Sequence, residues 1–441
     1  MLENQTYQHP SASAAPQKKQ DETSFTVPDQ MRALVLDGTG FGHLRIRHVP
    51  VPRPGPRQLL ARVDAAGICT SNIKLVEQGP NHNLIYGWDI SRFPLILGDE
   101  GSVTLVRIGE ELRERYRPGE RYVIQPAVDH PPINHRERYR NNGQGIEKVA
   151  VSYTLPGHLA EYILITEETL AGDCLVSLPD TSLPYAHVAL SEPLSCVISG
   201  QDHHVHLFQE SSLAPRSVLK GLKPGGVTVI IGSGAMGRMH VDLALSYRPR
   251  AIVATDLIES RLETVRRLFG PRAEKLGIAL HAVNPSQIDV DGLVKELTDY
   301  RGADDVIVAV GSGKAIEMAQ NYVGRGAVLN LFGGLKKGQD VIGLDTGLVH
   351  YKEINVTGSS GGSPWDISRT LELMVHGDIN AGAHITQIGD LEHAIQFLEM
   401  VKAQEIDGKA VVYPHRRTDE ILHVHSWTAE DERGYLAASG S

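Results

Sequence analysis

Three glycines in the middle of the chain have the spacing G-x-G-x-x-G, in the run Gly232-Ser-Gly234-Ala235-Met236-Gly237. An apolar run precedes them and a helical pattern follows, which is the context in which such a turn binds a dinucleotide. Gly232 would allow the tight turn, Gly234 would let the backbone approach a pyrophosphate, and Gly237 would let helix and strand pack closely. N–H groups at a helix start also favour phosphate oxygens. The whole run, Ala235 and Met236 included, is therefore a predicted cofactor-binding turn.

An acidic residue follows this turn at the distance expected of a ribose-binding side chain. Asp256 ends the next apolar run, roughly 20 residues beyond the glycines. A carboxylate at this place accepts hydrogen bonds from the ribose hydroxyls and repels a 2′-phosphate. Arg261, close behind it, would instead attract such a phosphate. We therefore predict NAD as the cofactor, and Arg261 keeps NADP as the alternative.

The elements that position this turn alternate between strand-like and helix-like runs. Strands are predicted at 227–231, 251–255, 305–310 and 327–332, and helices at 236–247, 259–269 and 314–322. Further strands are predicted at 341–344 and 354–358, and a closing strand at 409–412. Such alternation is typical of a doubly wound parallel sheet. The sequence thus predicts a Rossmann-type domain that begins near residue 226.

The first half of the chain has a different pattern, with short apolar runs between prolines and glycines. Strands are predicted at 32–36, 58–63, 95–108, 121–125 and 159–165. Many short strands with such turns indicate a barrel-like β domain. The polar stretch 129–150 is predicted to be a long surface loop. The mixture of the two patterns places the chain in the α/β class.

Composition narrows the class of protein. The chain has 441 residues, of which 41% are hydrophobic and 22% charged, and its net charge is −10. This charge gives no attraction for nucleic acid or an anionic membrane, and no apolar run reaches the roughly 18 residues of a membrane span. Three cysteines are too few for a disulfide scaffold, so a cytoplasmic location is expected. The scattered histidines are predicted to be surface or structural residues: His158, His187, His203, His204 and His206.

Three motifs outside the glycine turn carry residue types that bind metals or move protons. They are Gly67-Ile-Cys69-Thr-Ser71-Asn-Ile-Lys74, Leu97-Gly98-Asp99-Glu100-Gly101 and Ser191-Glu192-Pro193-Leu194. With the glycine turn, they resemble the zinc-dependent medium-chain alcohol dehydrogenase family, and the Glu-Pro-Leu variant is similar to its polyol dehydrogenases. The stretches 125–127, 349–351 and 357–362 resemble the L-sorbose-1-phosphate reductases. The resemblance extends from about residue 31 to residue 414.

This resemblance implies a GroES-like catalytic domain beside the Rossmann domain, with a cleft between them. The implied boundaries are 29–191 for the catalytic domain, 192–372 for the NAD-binding domain and 373–415 for a return to the catalytic domain. An N-terminal arm, 1–28, is predicted to be disordered because it is polar and rich in Ser, Gln, Lys and Pro. A C-terminal tail, 416–441, completes the chain. A homodimer or homotetramer is expected.

The resemblance also implies one catalytic zinc, held by Cys69, Asp99, Glu100 and Glu192. Zinc takes thiolate and carboxylate ligands and leaves a position open at catalytic sites. Asp99 stands where the family usually has His, so a set of Cys, Asp and Glu carries about three negative charges instead of about two. Loss of the metal is the alternative reading of Asp99. The structural zinc of many relatives is excluded, because its cysteines are missing.

Proton transfer is assigned to residues near Cys69. The resemblance places a hydroxyl relay at Ser71, and Lys74 stands where relatives often have a second relay group. At a spacing of i, i+3 the two side chains share one face of a helix. Lys74 would pass a proton or bind a substrate phosphate, and a solvated surface lysine is the plain alternative. Ser71, Lys74 and Glu100 are the candidate catalytic residues.

These features predict hydride transfer between nicotinamide and a secondary alcohol of a polyol, cyclitol or sugar phosphate. Two other classes of protein stay open. An epimerase or isomerase that retains NAD would show identical motifs, and a non-catalytic binding protein with a degenerate metal site would explain Asp99. A net change in nicotinamide absorbance would distinguish the predicted dehydrogenase from an isomerase. Metal content would distinguish it from a binding protein with a degenerate site.

Overall fold

The computed structural model describes residues 25–335 and 338–438. The predicted N-terminal arm, 1–28, therefore lies outside the described residues up to position 24. At its end, Phe25 and Val27 are partly buried against the apolar cluster around Met31. In the described ranges, no helix has the length and apolar character needed to cross a membrane.

The first part of the chain is mostly short strands, as predicted. Its elements are β1 (Gln30–Leu36), β2 (Leu44–Pro50), β3 (Leu59–Gly67), α1 (Thr70–Gln78), β4 (Leu95–Ile96), β5 (Glu100–Ile108), β6 (Arg121–Ile124), β7 (Ala127–Val128), β8 (Val149–Ala150), β9 (Tyr162–Ile165), α2 (Glu167–Ala171), β10 (Leu175–Ser177), α3 (Tyr185–Ala189) and α4 (Ser191–Asp202).

Strands and helices alternate in the second part. Its elements are β11 (Val205–Phe208), β12 (Ser217–Lys220), β13 (Val227–Ile231), α5 (Ala235–Ala244), β14 (Ala251–Thr255), α6 (Glu259–Lys275), β15 (Ala279–Val283), α7 (Val290–Leu297), β16 (Ala303–Val308), α8 (Gly313–Ala319), β17 (Val323–Asn330), α9 (Thr346–Tyr351), β18 (Asn355–Thr357), α10 (Pro364–Val375), β19 (Ile385–Gly389), α11 (Ala394–Lys402), β20 (Lys409–Val412), β21 (Leu422–His423) and α12 (Ala429–Ala437).

The Rossmann sheet has six parallel strands in the order β15-β14-β13-β16-β17-β18. This is the doubly wound order, in which the chain reverses direction across the sheet beside the first strand, β13. All five residues of β13 are buried, because helices cover both faces of a parallel sheet. The α/β architecture predicted for this half is confirmed.

The catalytic domain is built on a second sheet, whose order is β10-β6-β5-β3-β20-β19-β21, with β9 also paired to β3. A smaller sheet, β2-β1-β4, packs beside it, and apolar side chains between the elements form the core. The central pair joins distant parts of the chain, because Gly67 at the end of β3 lies opposite Val411 of β20. The sequence that follows the Rossmann domain thus completes the first domain.

Two predicted elements differ from the structure. The strand predicted at 341–344 is wrong: Gly343 N donates to Glu317 Oε1 and Gly343 O accepts from Gln320 Nε2, so side chains near α8 satisfy this backbone instead of a neighbouring strand. The stretch 129–150 is only partly a surface loop. Tyr139 and Ile146 are buried in it, and the Tyr139 ring packs edge-on against Trp88.

The predicted C-terminal tail contains β21 and α12 and packs onto the catalytic domain. Trp427 Nε1 donates to Tyr413 Oη at 2.7 Å, and that hydroxyl donates to Glu432 Oε1 at 2.7 Å. The carboxylate of Glu432 also accepts hydrogen bonds from the N–H groups of Tyr185 and Ala186, at 2.7 and 2.9 Å. An α12 carboxylate therefore satisfies the first backbone donors of α3.

A buried His–Asp–His group connects the hairpin of β11 and β12 to the Rossmann sheet. His204 Nδ1 and His206 Nε2 lie 2.6 and 2.9 Å from one oxygen of Asp305, and Lys223 N donates to the other at 2.9 Å. Burial raises the pKa of Asp305, but the hydrogen bonds from the two histidines outweigh it and lower that pKa to about 2. These distances are those of hydrogen bonds, which agrees with the structural role predicted for His204 and His206.

We predict that Asp305→Asn lowers the free energy of unfolding by about 3 kcal/mol at neutral pH, because it removes the charge that pairs the buried imidazoles. The low pKa of Asp305 contributes stability above its unfolded-state value, and this stability is lost as pH falls towards 2. The difference between wild type and variant should therefore shrink in acid. Urea denaturation across this pH range measures it.

Asp304→Asn is the matched control, since Asp304 is partly exposed and pairs with the exposed side chain of Lys223. Asp304→Asn should lower the free energy of unfolding by about 1 kcal/mol or less. Equal losses of unfolding free energy in the two variants would contradict the prediction that the buried group contributes more to stability than the exposed ion pair.

Candidate functional site

The three glycines of the turn between β13 and α5 stand in different environments. Gly232 has a φ of +96°, and a Cβ there would lie 2.3 Å from Val310 Cγ1. A Cβ on Gly237 would lie 1.8 Å from the carbonyl oxygen of Gly232. A Cβ on Gly234 would meet only Arg261 Nη1 within 4 Å, at 3.9 Å. Gly232 and Gly237 are therefore required by the turn and its packing, whereas Gly234 borders open space.

The open space continues over the first turn of α5. Ala235 and Met236 are partly exposed, like Gly234, although the residues on both sides of the three are buried. No side chain caps the helix, whose N-cap is Gly234. Uncapped N–H groups beside open space suit a pyrophosphate. The residues present here fit a dinucleotide.

Asp256 is buried beside this turn and is fixed by backbone donors. Its Oδ2 accepts from Ser233 N at 2.8 Å and its Oδ1 from Ile258 N at 2.9 Å. The guanidinium of Arg261, on the first turn of α6, lies 3.5 Å from Asp256 Oδ2. The structure thus brings together the two residues with opposite predicted effects on NAD and NADP.

Cys69 and Ser71 stand at the start of α1, next to the break between β4 and β5. Cys69 is the N-cap residue of α1. Ser71 Oγ donates to Asp99 Oδ2, and Asn72 Nδ2 donates to Asp99 Oδ1 at 2.6 Å. Gly98 N in turn donates to Asn72 Oδ1 at 2.9 Å. Two hydrogen bonds therefore fix the carboxylate of Asp99 against the helix that carries Cys69.

Gly98 explains why the strand predicted at 95–108 is interrupted. Its φ is +105°, and a Cβ there would lie 2.5 Å from Leu159 N. The chain turns at this glycine between β4 and β5, which places Asp99 and Glu100 beside each other and both in the interior. The spacing of the Gly98-Asp99-Glu100 motif therefore has a geometric cause.

Glu100 forms an ion pair with Lys409, the first residue of β20. Both side chains are buried, and Lys409 Nζ also donates to Ile68 O at 2.9 Å. Burial alone would lower the pKa of Lys409, but the negative charges of Glu100, Cys69 and Glu192 raise it. The other oxygen of Glu100, Oε2, has no hydrogen-bond partner within the described residues. Lys409 therefore supplies positive charge to the site and leaves one Glu100 oxygen free.

Glu192 approaches from the first turn of α4, on the other side of the cluster. It is buried, and Cys196 Sγ donates to its Oε1 at 3.5 Å. Burial raises the pKa of Glu192, and the charges of Asp99 and Glu100 raise it further. The pKa of the Cys69 thiol is raised for the same reasons. Cys196 thus contacts a residue of the site.

The donor set fits a divalent cation. Three buried carboxylates and one half-buried thiol lie near a single lysine, so a bound cation would relieve their mutual repulsion. Thiolate and carboxylate oxygen are both ligands that zinc accepts. Among the described residues, no three ligand atoms from Cys69, Asp99, Glu100 and Glu192 lie within 4.8 Å of one another, whereas those of His204, His206 and Asp305 do.

Lys74 stands apart from the acidic cluster on the exposed side of α1. Two aromatic side chains near Lys74 and Ser71 were not predicted from the sequence. The ring centroid of His82 lies 5.0 Å from that of Tyr153, a buried tyrosine whose pKa is raised by burial and by the nearby charge of Asp99. Burial lowers the pKa of His82, and the charge of Lys74 lowers it further. Ser71 therefore contacts Asp99, whereas Lys74 is close enough to His82 for its charge to affect that imidazole.

Sequence reasoning missed Lys409, Tyr153 and His82. One signal was present for Lys409, because a lysine at the start of an otherwise apolar strand needs a buried partner or an exposed end. No comparable pattern marks Tyr153 or His82, which come from irregular segments.

Comparison with known proteins shows the family of the chain. The family model of the alcohol dehydrogenase GroES-like domain matches residues 55–179, and that of the zinc-binding dehydrogenase matches residues 235–376. The chain is 30% identical to mannitol-1-phosphate 5-dehydrogenase of Aliivibrio fischeri over 387 residues, which cover 85% of each chain. It is 28% identical to L-sorbose 1-phosphate reductase of Klebsiella pneumoniae, with 80% of this chain and 82% of that protein covered.

The fold is shared with solved structures. That of 2R,3R-butanediol dehydrogenase from Bacillus subtilis superposes with a TM-score of 0.68 at 22% identity, covering 87% of this chain and 100% of the other. The family matches, the identity and the common fold lead to one conclusion. The chain belongs to the zinc-dependent medium-chain alcohol dehydrogenase family and is an oxidoreductase.

Proposed function

We propose that the chain transfers a hydride between NAD and a secondary alcohol or ketone of a polyol or sugar phosphate. The observation that carries this proposal is the link between the two halves of the site. Asp407 O accepts from Arg238 Nη2, in the helix of the glycine turn, at 2.9 Å, and two residues later Lys409 pairs with Glu100. One short segment thus connects the cofactor turn to the acidic cluster.

The substrate class is supported by the relatives and by charge. Two of them, by their names, act on a phosphorylated polyol or sugar. Lys74 is exposed on the helix that begins at Cys69, and it is the cationic side chain on that helix. An ammonium group there is suited to a phosphate or to several hydroxyl groups. The proposal therefore favours polyols and their phosphates over simple apolar alcohols.

We assign the zinc site to Cys69, Asp99 and Glu192, with Glu100 beside them. When bound, zinc polarises the substrate oxygen, and the nicotinamide accepts or donates the hydride. Lys409 holds Glu100 by one oxygen and compensates part of the negative charge. Asn72 and Ser71 orient Asp99, and Cys196 orients Glu192.

Ser71 is assigned the proton transfer. Ser71 is partly exposed; its hydroxyl donates to Asp99 Oδ2 and accepts from Asn72 Nδ2 at 3.0 Å, which leaves one lone pair for a substrate hydroxyl. As Ser71 Oγ accepts a proton from the substrate, its own proton passes towards the exterior, and Asp99 keeps its charge. Tyr153 and His82 continue the polar path towards Lys74 and the exterior.

We predict that the purified protein changes the nicotinamide absorbance when it receives NAD with a polyol phosphate or NADH with the matching ketose phosphate. Each phosphate should be compared with its unphosphorylated polyol, and NADP should be tested in parallel. Conversion of substrate without a net absorbance change would contradict the proposal and indicate an isomerase.

We predict that Gly234→Val abolishes dinucleotide binding in a folded protein. The valine side chain would enter the open space beside the turn, where its Cβ meets no protein atom closer than Arg261 Nη1. Titration of NADH fluorescence should show at least a hundredfold loss of affinity, or about 2.7 kcal/mol, with an unchanged circular dichroism spectrum.

Gly237→Val is the contrasting variant, because its Cβ would clash with Gly232 O. It should lose stability as well as cofactor binding. If Gly234→Val binds NADH as the wild type does, the cofactor lies elsewhere.

We predict that Cys69→Ser strongly reduces the zinc content of the purified protein, because a serine hydroxyl is a much poorer zinc ligand than a thiolate. Cys174→Ser is the matched control: Cys174 is buried, and its Sγ contacts Gly172 O and Ala127 O, away from the acidic cluster. Mass-spectrometric metal analysis should show near-stoichiometric zinc in the wild type and the control. Equal zinc in all three proteins would reject Cys69 as a ligand.

A further inference from the structure

The geometry points to Asp407 as a specificity-determining residue: it holds Arg261 and thereby makes the chain prefer NAD over NADP. Asp407 lies in the segment between α11 and β20, far in sequence from the glycine turn. This inference rests on the proposed function, in which a dinucleotide occupies the open space beside Gly234. It adds a residue from outside the Rossmann sheet to the recognition of the adenosine ribose.

Arg261 is the side chain on which the choice between the cofactors depends. Its guanidinium borders the open space, since Nη1 is 3.9 Å from the Cβ position of Gly234. It is also flanked by two carboxylates. Nη1 lies 3.5 Å from Asp256 Oδ2, and Nε lies 3.9 Å from Asp407 Oδ1. Arg261 therefore already has a negative charge beside it on both sides.

The chemistry of the two cofactors differs only at the ribose 2′ position. NADP has a phosphate there, and an available arginine beside the ribose is the usual way to accommodate it. NAD has a hydroxyl there, which donates a hydrogen bond to a carboxylate. With both carboxylates in place, a 2′-phosphate would have to displace Arg261 from them and approach two negative charges. Asp256 supplies the first charge, and Asp407 supplies the second.

Asp407 is held in position from two helices of the Rossmann domain. Arg238 of α5 is fully buried; its Nη2 donates to Asp407 O at 2.9 Å, and its Nη1 lies 3.5 Å from Asp407 Oδ2. Thr264 Oγ1 of α6 lies 3.3 Å from the same carboxylate oxygen and 2.9 Å from Ser260 O, the two acceptors within reach of its hydroxyl proton. The next residue, Gly408, allows this approach, because a Cβ there would lie 2.7 Å from Arg238 Nη2. The carboxylate is thus fixed beside Arg261 and not free to turn away.

The test is Asp407→Asn, which keeps the size of the side chain and removes its charge. Dissociation constants for NADH and NADPH are measured by fluorescence titration of the full-length protein. We expect NADPH to bind roughly tenfold more tightly than to the wild type, with NADH affinity changed by less than about threefold. Asp299→Asn, at an exposed carboxylate on the surface, removes the same charge elsewhere and should change neither constant.

Arg261→Gln separates this mechanism from a general charge effect. In the double variant with Asp407→Asn, the gain in NADPH affinity should disappear, because it requires the released guanidinium. Arg261→Gln alone should leave NADPH affinity close to that of the wild type. This single variant leaves the contacts between Asp407 and Arg238 intact, so it gives a result even if Asp407→Asn does not fold.

Three results would overturn the inference. They are an unchanged NADPH constant in folded Asp407→Asn, a gain that persists without Arg261, and a large loss of NADPH affinity in Arg261→Gln alone. Tighter binding of NADPH than NADH by the wild type would also overturn it, although the proposed oxidoreductase function would stand. Failure of the wild type to bind either cofactor would instead overturn the proposed function, and the inference with it.

Discussion

Negative charge buried without enough positive charge is the constraint on which the site depends. Cys69, the adjacent residues Asp99 and Glu100, and Glu192 come from three parts of the fold and lie near one another, with Lys409 as their cationic partner. Removing one partner of a buried pair costs about 3–5 kcal/mol, because the other charge is left uncompensated. The surrounding structure is arranged to meet this constraint. Hydrogen bonds from α1 fix one carboxylate, a thiol contacts another, and the first residue of β20 pairs with a third.

Much of the fold could be predicted from local sequence. The strands β13, β14 and β20 have the predicted bounds, because each is a short apolar run bounded by turn residues. The errors have physical causes that local patterns do not contain. The run 341–344 is apolar, but side chains of the preceding helix region take its hydrogen bonds. The stretch 129–150 is polar overall, yet a few of its residues pack against Trp88.

The residues of the candidate site also divide into those that a local motif indicates and those that only tertiary contacts reveal. The glycine turn is a local motif, so its three different glycine environments follow from spacing alone. Cys69, Asp99, Glu100 and Glu192 were found through the resemblance to a family, and their assignment to zinc stays a prediction. Lys409 and Asp407 could not be found in this way. Their importance comes from contacts with residues more than a hundred positions away, which only the tertiary packing of the chain creates.

The pairing of β3 with β20 also bears on the order in which the chain can fold. The Rossmann strands, from β13 to β18, are contiguous in sequence, whereas Gly67 must wait for Val411 before the central pair of the other sheet exists. Contacts of such separation form late, because closing the long loop between them costs entropy before any contact rewards it. During synthesis, most residues of the first domain are therefore made before the Rossmann domain, but the first domain can be completed only after it. Lys409 lies on β20, so the acidic side chains acquire their cationic partner only after all the Rossmann strands have been made.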